Sequence, residues 1–118
     1  MASEGFHEQA ELLTAQTKDM HRAIRSLMEE LEAVDWYQQR VDATTDEPLR
    51  AILAHNRDEE KEHASMVLEW IRRHDPVFDE NLRKYLFTSG SITEREEAAA
   101  TAATTSGTSI GSLRGGGQ

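Results

Sequence analysis

The stretch Asn56–Trp70, NRDEEKEHASMVLEW, has the composition of a helix, but polar residues interrupt the apolar face that such a helix would pack. Steps of three and four residues along the chain follow one helical face. That face carries Leu49, Leu53, Asn56, Glu60, His63, Val67 and Trp70. A charged side chain that is buried without a partner is strongly disfavoured. The pattern therefore requires a partner for Glu60 and His63.

A bound cation is one such partner. Glu60 and His63 are three residues apart, so their side chains are neighbours on the helix surface and can bind one ion together. On the preceding helix, Glu30 lies three residues after Leu27 and four before Val34, at the edge of the apolar stripe. The chain thus offers a Glu from one helix and a Glu-x-x-His from the next.

The motif alone does not decide between two interpretations. Glu4 and His7 have the same spacing near the N-terminus, where we attribute it to chance. Without metal, Glu60 and His63 would form a Glu–His hydrogen bond at a helix interface. The position of both residues on the apolar face, with Glu30 on the other helix, favours metal.

The periodicity predicts three helices and no strand. The first runs from about Glu8 or Leu12 to about Val41, and the second from about Pro48 to Arg73. Thr45 or Asp46 is the predicted N-cap of the second helix, and Asp75-Pro76 ends it, because the residue before a proline is disfavoured in the α region. The third helix is predicted at about residues 78–87.

The chain divides by composition into a helical domain, residues 1–90, and a tail, residues 91–118. The tail is rich in Ala, Thr, Ser and Gly and cannot bury enough apolar surface to offset its ordering entropy, so we predict that it is flexible. Two antiparallel helices form a hairpin whose stripes are only partly covered. We therefore predict an all-α protomer, a two-helix hairpin with a short third helix, that completes a four-helix bundle by dimerisation.

Charge and composition exclude several classes of function. The chain has 118 residues and a formal net charge of −9, which argues against binding to nucleic acid. It has no cysteine, which excludes thiolate metal sites. No segment is long and apolar enough for a membrane span, and no signal peptide is recognised.

The candidate ligands form half of a known arrangement. Di-iron carboxylate bundles of the ferritin-like type use a Glu from each of two helices and a Glu-x-x-His from each of two others. A symmetric dimer of this chain would supply that set from two copies of Glu30, Glu60 and His63. Such ligands suit iron or manganese, and zinc is compatible.

Three segments of the chain resemble the helices of the encapsulated ferritins: MEELEAVDWYQQR, AILAHNRDEEKEHASMVLEWIRR and YLFT. The resemblance covers nearly the whole chain. The tail element SIGSLR resembles the C-terminal peptide that docks such cargo onto the inner wall of an encapsulin shell. It differs at its front, where Thr108 and Ser109 precede Ile110 in place of Leu-Gly. The predicted docking residues are Ile110, Gly111, Ser112 and Leu113.

The resemblance implies a ferroxidase that oxidises Fe(II) with dioxygen at a di-iron centre formed across a dimer. It implies a ring of dimers, usually a decamer, and a location in the cytoplasm inside the encapsulin nanocompartment, whose shell holds the mineral. The residues that match the family's ligands are Glu30, Glu60 and His63, and Tyr37 matches a tyrosine near the centre.

The resemblance also implies a second, acidic metal site, through which metal enters. It assigns Glu29 and Glu32 to this site and places Trp36 beside it, with calcium or another divalent ion as occupant. Taken alone, these residues have the pattern of a solvated helix face. The tryptophan is unusual there, since a large aromatic side chain seldom lies on such a face without a contact.

Two other functions fit the same residues. The chain could form a non-catalytic helical bundle that binds and buffers iron. It could also form a structural dimer in which buried polar residues fix the register of the helices.

Overall fold

The computed structural model describes residues 5–96 of the chain. Within this range there is no β-strand, and the predicted all-α fold class is confirmed. A short 3-10 helix at Ala10–Leu12 precedes α1 (Ala15–Ala43), α2 (Glu47–His74) and α3 (Pro76–Tyr85). None of the helices in the described range is long and apolar enough to cross a membrane.

Helix α1 begins later than the periodicity predicts. Thr14 is extended, and its side chain accepts a hydrogen bond from the backbone N–H of Thr17 at 3.0 Å. This contact satisfies one of the free N–H groups of the first turn, so the helix starts after Thr14. The prediction of a start at Glu8 or Leu12 was wrong, because the apolar spacing continues into a 3-10 turn that is separate from α1.

The turn between α1 and α2 is held by two residues of α2's N-terminal end. Asp46, one of the two residues predicted as the N-cap, caps α2: its carboxylate accepts a hydrogen bond from the backbone N–H of Leu49 at 2.9 Å. Arg50 donates from Nε to the carbonyl of Val41 at 3.1 Å and from Nη2 to the carbonyl of Thr44. One carbonyl of the last turn of α1 and that of its C-cap Thr44 therefore accept hydrogen bonds from a side chain of the next helix.

The boundary between α2 and α3 is sharp. Asp75 ends α2, as predicted, and its carboxylate accepts the N–H of Phe78 at 2.9 Å. Pro76 occupies the first turn of α3, where its missing N–H has no role to fill. The third helix therefore starts two residues before the predicted Phe78, because the proline that ends one helix also begins the next.

The described chain falls into two compact units that divide after Ile71, within α2. In the second unit, Asp79 accepts hydrogen bonds from Arg72 and, at 3.0 Å, from Arg83. The pKa of Asp79 is lowered, above all by the hydrogen bond from Arg72. After α3, Ser91 accepts the N–H of Glu94 at 3.2 Å, and residues 92–96 are helical. The first residues of the predicted tail are thus helical; the division at residue 90 stays a prediction.

In the first unit, α1 and α2 form an antiparallel hairpin. Arg57 of α2 donates from Nη1 to Oε1 of Gln38 in α1 at 2.8 Å. Further along, Nδ1 of His63 lies 3.6 Å from Oε2 of Glu30. Position along α2 rises as position along α1 falls, and this register brings Glu30 level with His63.

The hairpin buries very little. Among residues 5–96, only Ala64 and Ile71 are buried, and Ile71 is 1% exposed. Many large apolar side chains on α1 and α2 remain exposed. They include Ile24, Met28, Leu31, Leu49, Ile52 and Met66. A single copy therefore leaves a large part of its apolar surface in contact with water.

We expect Ile71→Ala to lower the free energy of unfolding by about 2–5 kcal/mol, because it leaves a cavity at a large side chain that is fully buried within residues 5–96. Urea unfolding followed by circular dichroism at fixed protein concentration measures the loss. Glu62→Ala, at an exposed position of the same helix, is the matched control and should change stability by less than about 0.5 kcal/mol. Equal stability of the two variants would contradict this role for Ile71.

Candidate metal centre

Three side chains converge between α1 and α2. Ligand atoms of Glu30, Glu60 and His63 all lie within 4.8 Å of one another. Nδ1 of His63 is 3.0 Å from Oε1 of Glu60 and 3.6 Å from Oε2 of Glu30. The side chains are 25%, 24% and 43% exposed for Glu30, Glu60 and His63, so water reaches the group from one side.

Helix geometry and hairpin register together produce this convergence. Glu60 and His63 are neighbours on α2 because three residues span almost one turn. Glu30 reaches them from α1 because the antiparallel register places it opposite His63. Each ligand is carried by the middle of a long helix, which holds the backbone positions rigidly.

Hydrogen bonds and neighbouring charges shift the pKa values of all three groups. The pKa of Glu30 is raised, mainly by its hydrogen bond with Glu60, and that same hydrogen bond lowers the pKa of Glu60. The pKa of His63 is raised, first by its hydrogen bond with Glu60 and then by the negative charge of both neighbouring carboxylates and of Glu59. Two adjacent carboxyl groups thus share protons that a cation would displace.

The donor set fits a divalent transition metal. Two carboxylates and one imidazole suit iron, manganese or zinc, and neither calcium nor copper(I) prefers this combination. Within residues 5–96 this group provides three ligands. The three residues fit half of a di-metal site of the ferritin-like type.

Tyr37 does not join the three converging residues. It lies two helical turns from Glu30 on α1 and is half-buried. The guanidinium of Arg40 lies 5.4 Å from the centre of its ring. The catalytic assignment of Tyr37 stays a prediction.

The predicted acidic site lies on a different part of α1. Glu29 and Glu32 are exposed, and Trp36 is 49% exposed. Oε2 of Glu29 lies 3.5 Å from Nη2 of Arg25, whose Nη1 is buried without a hydrogen-bond partner. Sequence analysis did not single out Arg25, although its spacing of four residues from Glu29 is the usual spacing of a helical ion pair.

The predicted docking residues, Ile110 to Leu113, lie outside the described residues. Their role stays a prediction from the sequence.

Comparison with known proteins identifies the family of this chain. The EncFtn-like family model matches residues 5–89. The encapsulated ferritin-like protein of Rhodospirillum rubrum is 57% identical over 97% of this chain and 91% of its own length. The ferritin-like protein of Thermotoga maritima is 53% identical over 90% of this chain and 93% of its own.

More distant sequence similarity and a solved structure complete the comparison. The encapsulin nanocompartment cargo protein EncC of Myxococcus xanthus is 43% identical over 68% of this chain and 66% of its own length. The crystal structure of protein ne0167 from Nitrosomonas europaea is 65% identical, with a TM-score of 0.72, and covers 75% of this chain and 97% of that chain. The predicted resemblance is confirmed: the chain belongs to the EncFtn-like family.

Proposed function

We propose that this protein is a ferroxidase that oxidises Fe(II) to Fe(III) with dioxygen at a di-iron centre shared by two copies of the chain. The observation that carries the proposal is the convergence of Glu30, Glu60 and His63 within 4.8 Å on the faces of two long helices. A site formed by a single chain would have too few ligands for two iron ions, whereas a two-fold axis beside these residues doubles the set.

The apolar surface next to the three residues supports a dimer at this face. A groove of about 490 Å³ lies between α1 and α2, toward the N-terminal end of α1. Met66, which lies three residues after His63, is 58% exposed in this groove. The groove is lined by Asp19, Arg22, Ala23, Ser26, Met66, Val67 and Trp70. A second copy that meets the first at the metal ligands would also cover this groove, which gives the dimer an apolar driving force.

The protein's own groups would have defined roles. The carboxylates of Glu30 and Glu60 would hold the iron and balance its charge, and neutral His63 would complete each half of the set. Bound iron would supply the electrons that reduce dioxygen. Because Glu30, Glu60 and His63 lie at the midpoints of α1 and α2, the helices would keep these ligands in place while the charge on the iron changes.

We also propose that the protein is cargo of an encapsulin shell in the cytoplasm. Two relatives carry names that describe an encapsulated ferritin-like protein and an encapsulin nanocompartment cargo protein. The tail element SIGSLR, with Ile110 and Leu113 as its apolar residues, would bind the shell. A ring of dimers, decameric in the arrangement that we favour, would present several tails to one shell and raise the effective concentration.

The outer acidic residues would serve metal uptake. Glu29 and Glu32 would attract Fe(II), and calcium or another divalent cation could occupy the same face, with Trp36 beside it. The ion pair between Glu29 and Arg25 would weaken that attraction, since a neighbouring guanidinium repels a cation.

Fe(II) oxidation tests the central proposal. Fe(II) added without oxygen and then exposed to air should give a rapid rise in ferric absorbance with the wild-type protein. Glu30→Ala, Glu60→Ala and His63→Ala should each lower the initial rate by more than about 100-fold, because each change removes two ligands from a shared site.

Glu62→Ala, which removes an exposed carboxylate from the same helix, is the control and should keep the wild-type rate. Circular dichroism should show that every variant remains helical. Binding without turnover would support the iron-buffering bundle instead, and no stoichiometric binding would support the structural dimer. A His63→Ala variant with the wild-type rate would exclude the assigned site.

Metal binding should weaken as the pH falls, because protons compete for the same groups. The raised pKa of His63 means that protons compete at this residue from above the ordinary histidine pKa of 6.5, and the raised pKa of Glu30 extends the competition there above the ordinary glutamate pKa of 4.5. The folding stability of the metal-free protein should change with pH in the opposite direction and increase as the pH falls. Its protonated His63 contributes stability that is complete below the unfolded-state pKa and is lost as the pH rises through the higher folded-state pKa.

Calorimetric titration with Zn(II) and thermal unfolding of the metal-free protein, both between about pH 5.5 and 8, measure the two slopes. His63→Gln is the control and should flatten both profiles. If Zn(II) affinity and the stability of the metal-free protein changed with pH in the same direction, the raised pKa assigned to His63 would be contradicted.

Removal of residues 106–118 tests the proposed docking peptide. The truncated protein should oxidise Fe(II) at the wild-type rate, because the metal ligands are unchanged, and should no longer co-purify with a co-expressed encapsulin shell. Replacement of only Ile110 and Leu113 by Ser should have the same effect if apolar contacts carry the binding. Normal loading of the truncated protein into shells would refute a docking role for the tail.

A further inference from the structure

The apolar face of α2 is interrupted by Asn56, Glu60 and His63. Glu60 and His63 are candidate metal ligands, but Asn56 has no role yet. It lies four residues before Glu60, so the two side chains are neighbours one turn apart on α2. It is half-buried, and its side-chain amide has no hydrogen-bond partner within residues 5–96. An amide in the middle of an apolar stripe is unfavourable there unless it has a partner in some state of the protein.

The surroundings of Glu60 suggest what that partner is. Of the side chains one turn from Glu60 on α2, His63 is itself a candidate ligand, and Ala64 is apolar. Arg57 donates to the side chain of its neighbour in sequence at 3.0 Å and to a glutamine of α1 at 2.8 Å. Asn56 is therefore the nearby donor on α2 that is not already committed.

Metal binding would change which hydrogen-bond donors the carboxylate of Glu60 needs. In the metal-free chain, Glu60 is hydrogen-bonded to His63 at 3.0 Å. A cation held by both residues takes the lone pairs that this hydrogen bond occupies. The remaining lone pairs of the carboxylate then need a donor from the protein, and such outer hydrogen bonds orient a ligating carboxylate and strengthen metal binding.

We propose that Asn56 is a positioning residue of the metal centre, and that its amide N–H donates to the carboxylate of Glu60 when metal is bound. This inference rests on the proposed metal site and names a residue outside the ligand set. It also accounts for the asparagine in the stripe: the amide has no protein partner among residues 5–96 and would gain one when metal is bound.

Co(II) binding tests the proposal without relying on oxidation. Asn56→Leu should bind Co(II) at the wild-type stoichiometry but with about tenfold lower affinity, and its ligand-field absorption bands should shift. Asn56→Gln keeps the amide on a longer side chain and should recover part of the affinity. The metal-free Asn56→Leu variant should be at least as stable as the wild type, since Leu continues the apolar stripe. A purely structural role would not lower affinity while stability is kept.

Asn81→Leu is the matched control, because it replaces another half-buried amide, on α3, whose partner is the carbonyl of Val77. It should leave Co(II) affinity unchanged. Wild-type affinity and spectrum in Asn56→Leu would overturn the inference, as would an equal loss in both variants. Failure of the wild-type protein to bind Co(II) through His63, judged from His63→Ala, would overturn the proposed metal site as well.

Discussion

The hydrogen bond between His63 and Glu60 allows a polar group to lie on a packing face. Without it, an imidazole and a carboxylate in the middle of the apolar stripe would each lose water without gaining a partner. Glu30 joins them from α1, and its separate contact with His63 ties the two helices together. The cost of placing these groups between helices is thus met by their mutual pairing, and the pairing places three metal-binding side chains at one point.

The small number of buried residues bears on how two copies would associate. Among its described residues the chain buries only Ala64 and Ile71, so contacts with a second copy, as proposed, would cover apolar surface that one copy leaves exposed. Polar residues within an apolar interface restrict how two such surfaces can meet, because a shifted register would leave them unpaired. A shared metal centre would therefore align the two copies, while the exposed apolar residues would supply most of the association energy.

The sequence predicted the long elements of the fold and the three converging residues. Helical periodicity was sufficient for α1 and α2, and the polar interruption at Glu60 and His63 indicated where the candidate metal ligands would converge. The limits of the helices were less predictable, because the cap at Thr14 is a local hydrogen bond that the apolar pattern does not register. The contacts of Arg25 and Arg50 depend on how far long side chains reach in the folded hairpin, which spacing alone does not determine.

The contacts of Arg50 with the turn have a consequence for the order of folding and assembly. Because Arg50 bonds back to the last turn of α1, the hairpin is closed by residues that are close together in sequence. Structures built from such local contacts fold rapidly, in microseconds to milliseconds for small helical proteins. Association of two chains is bimolecular and slows with dilution. In the dimer that we propose, a newly made chain would form its half of the centre first and bind its partner later, so protein concentration would control when the complete centre appears.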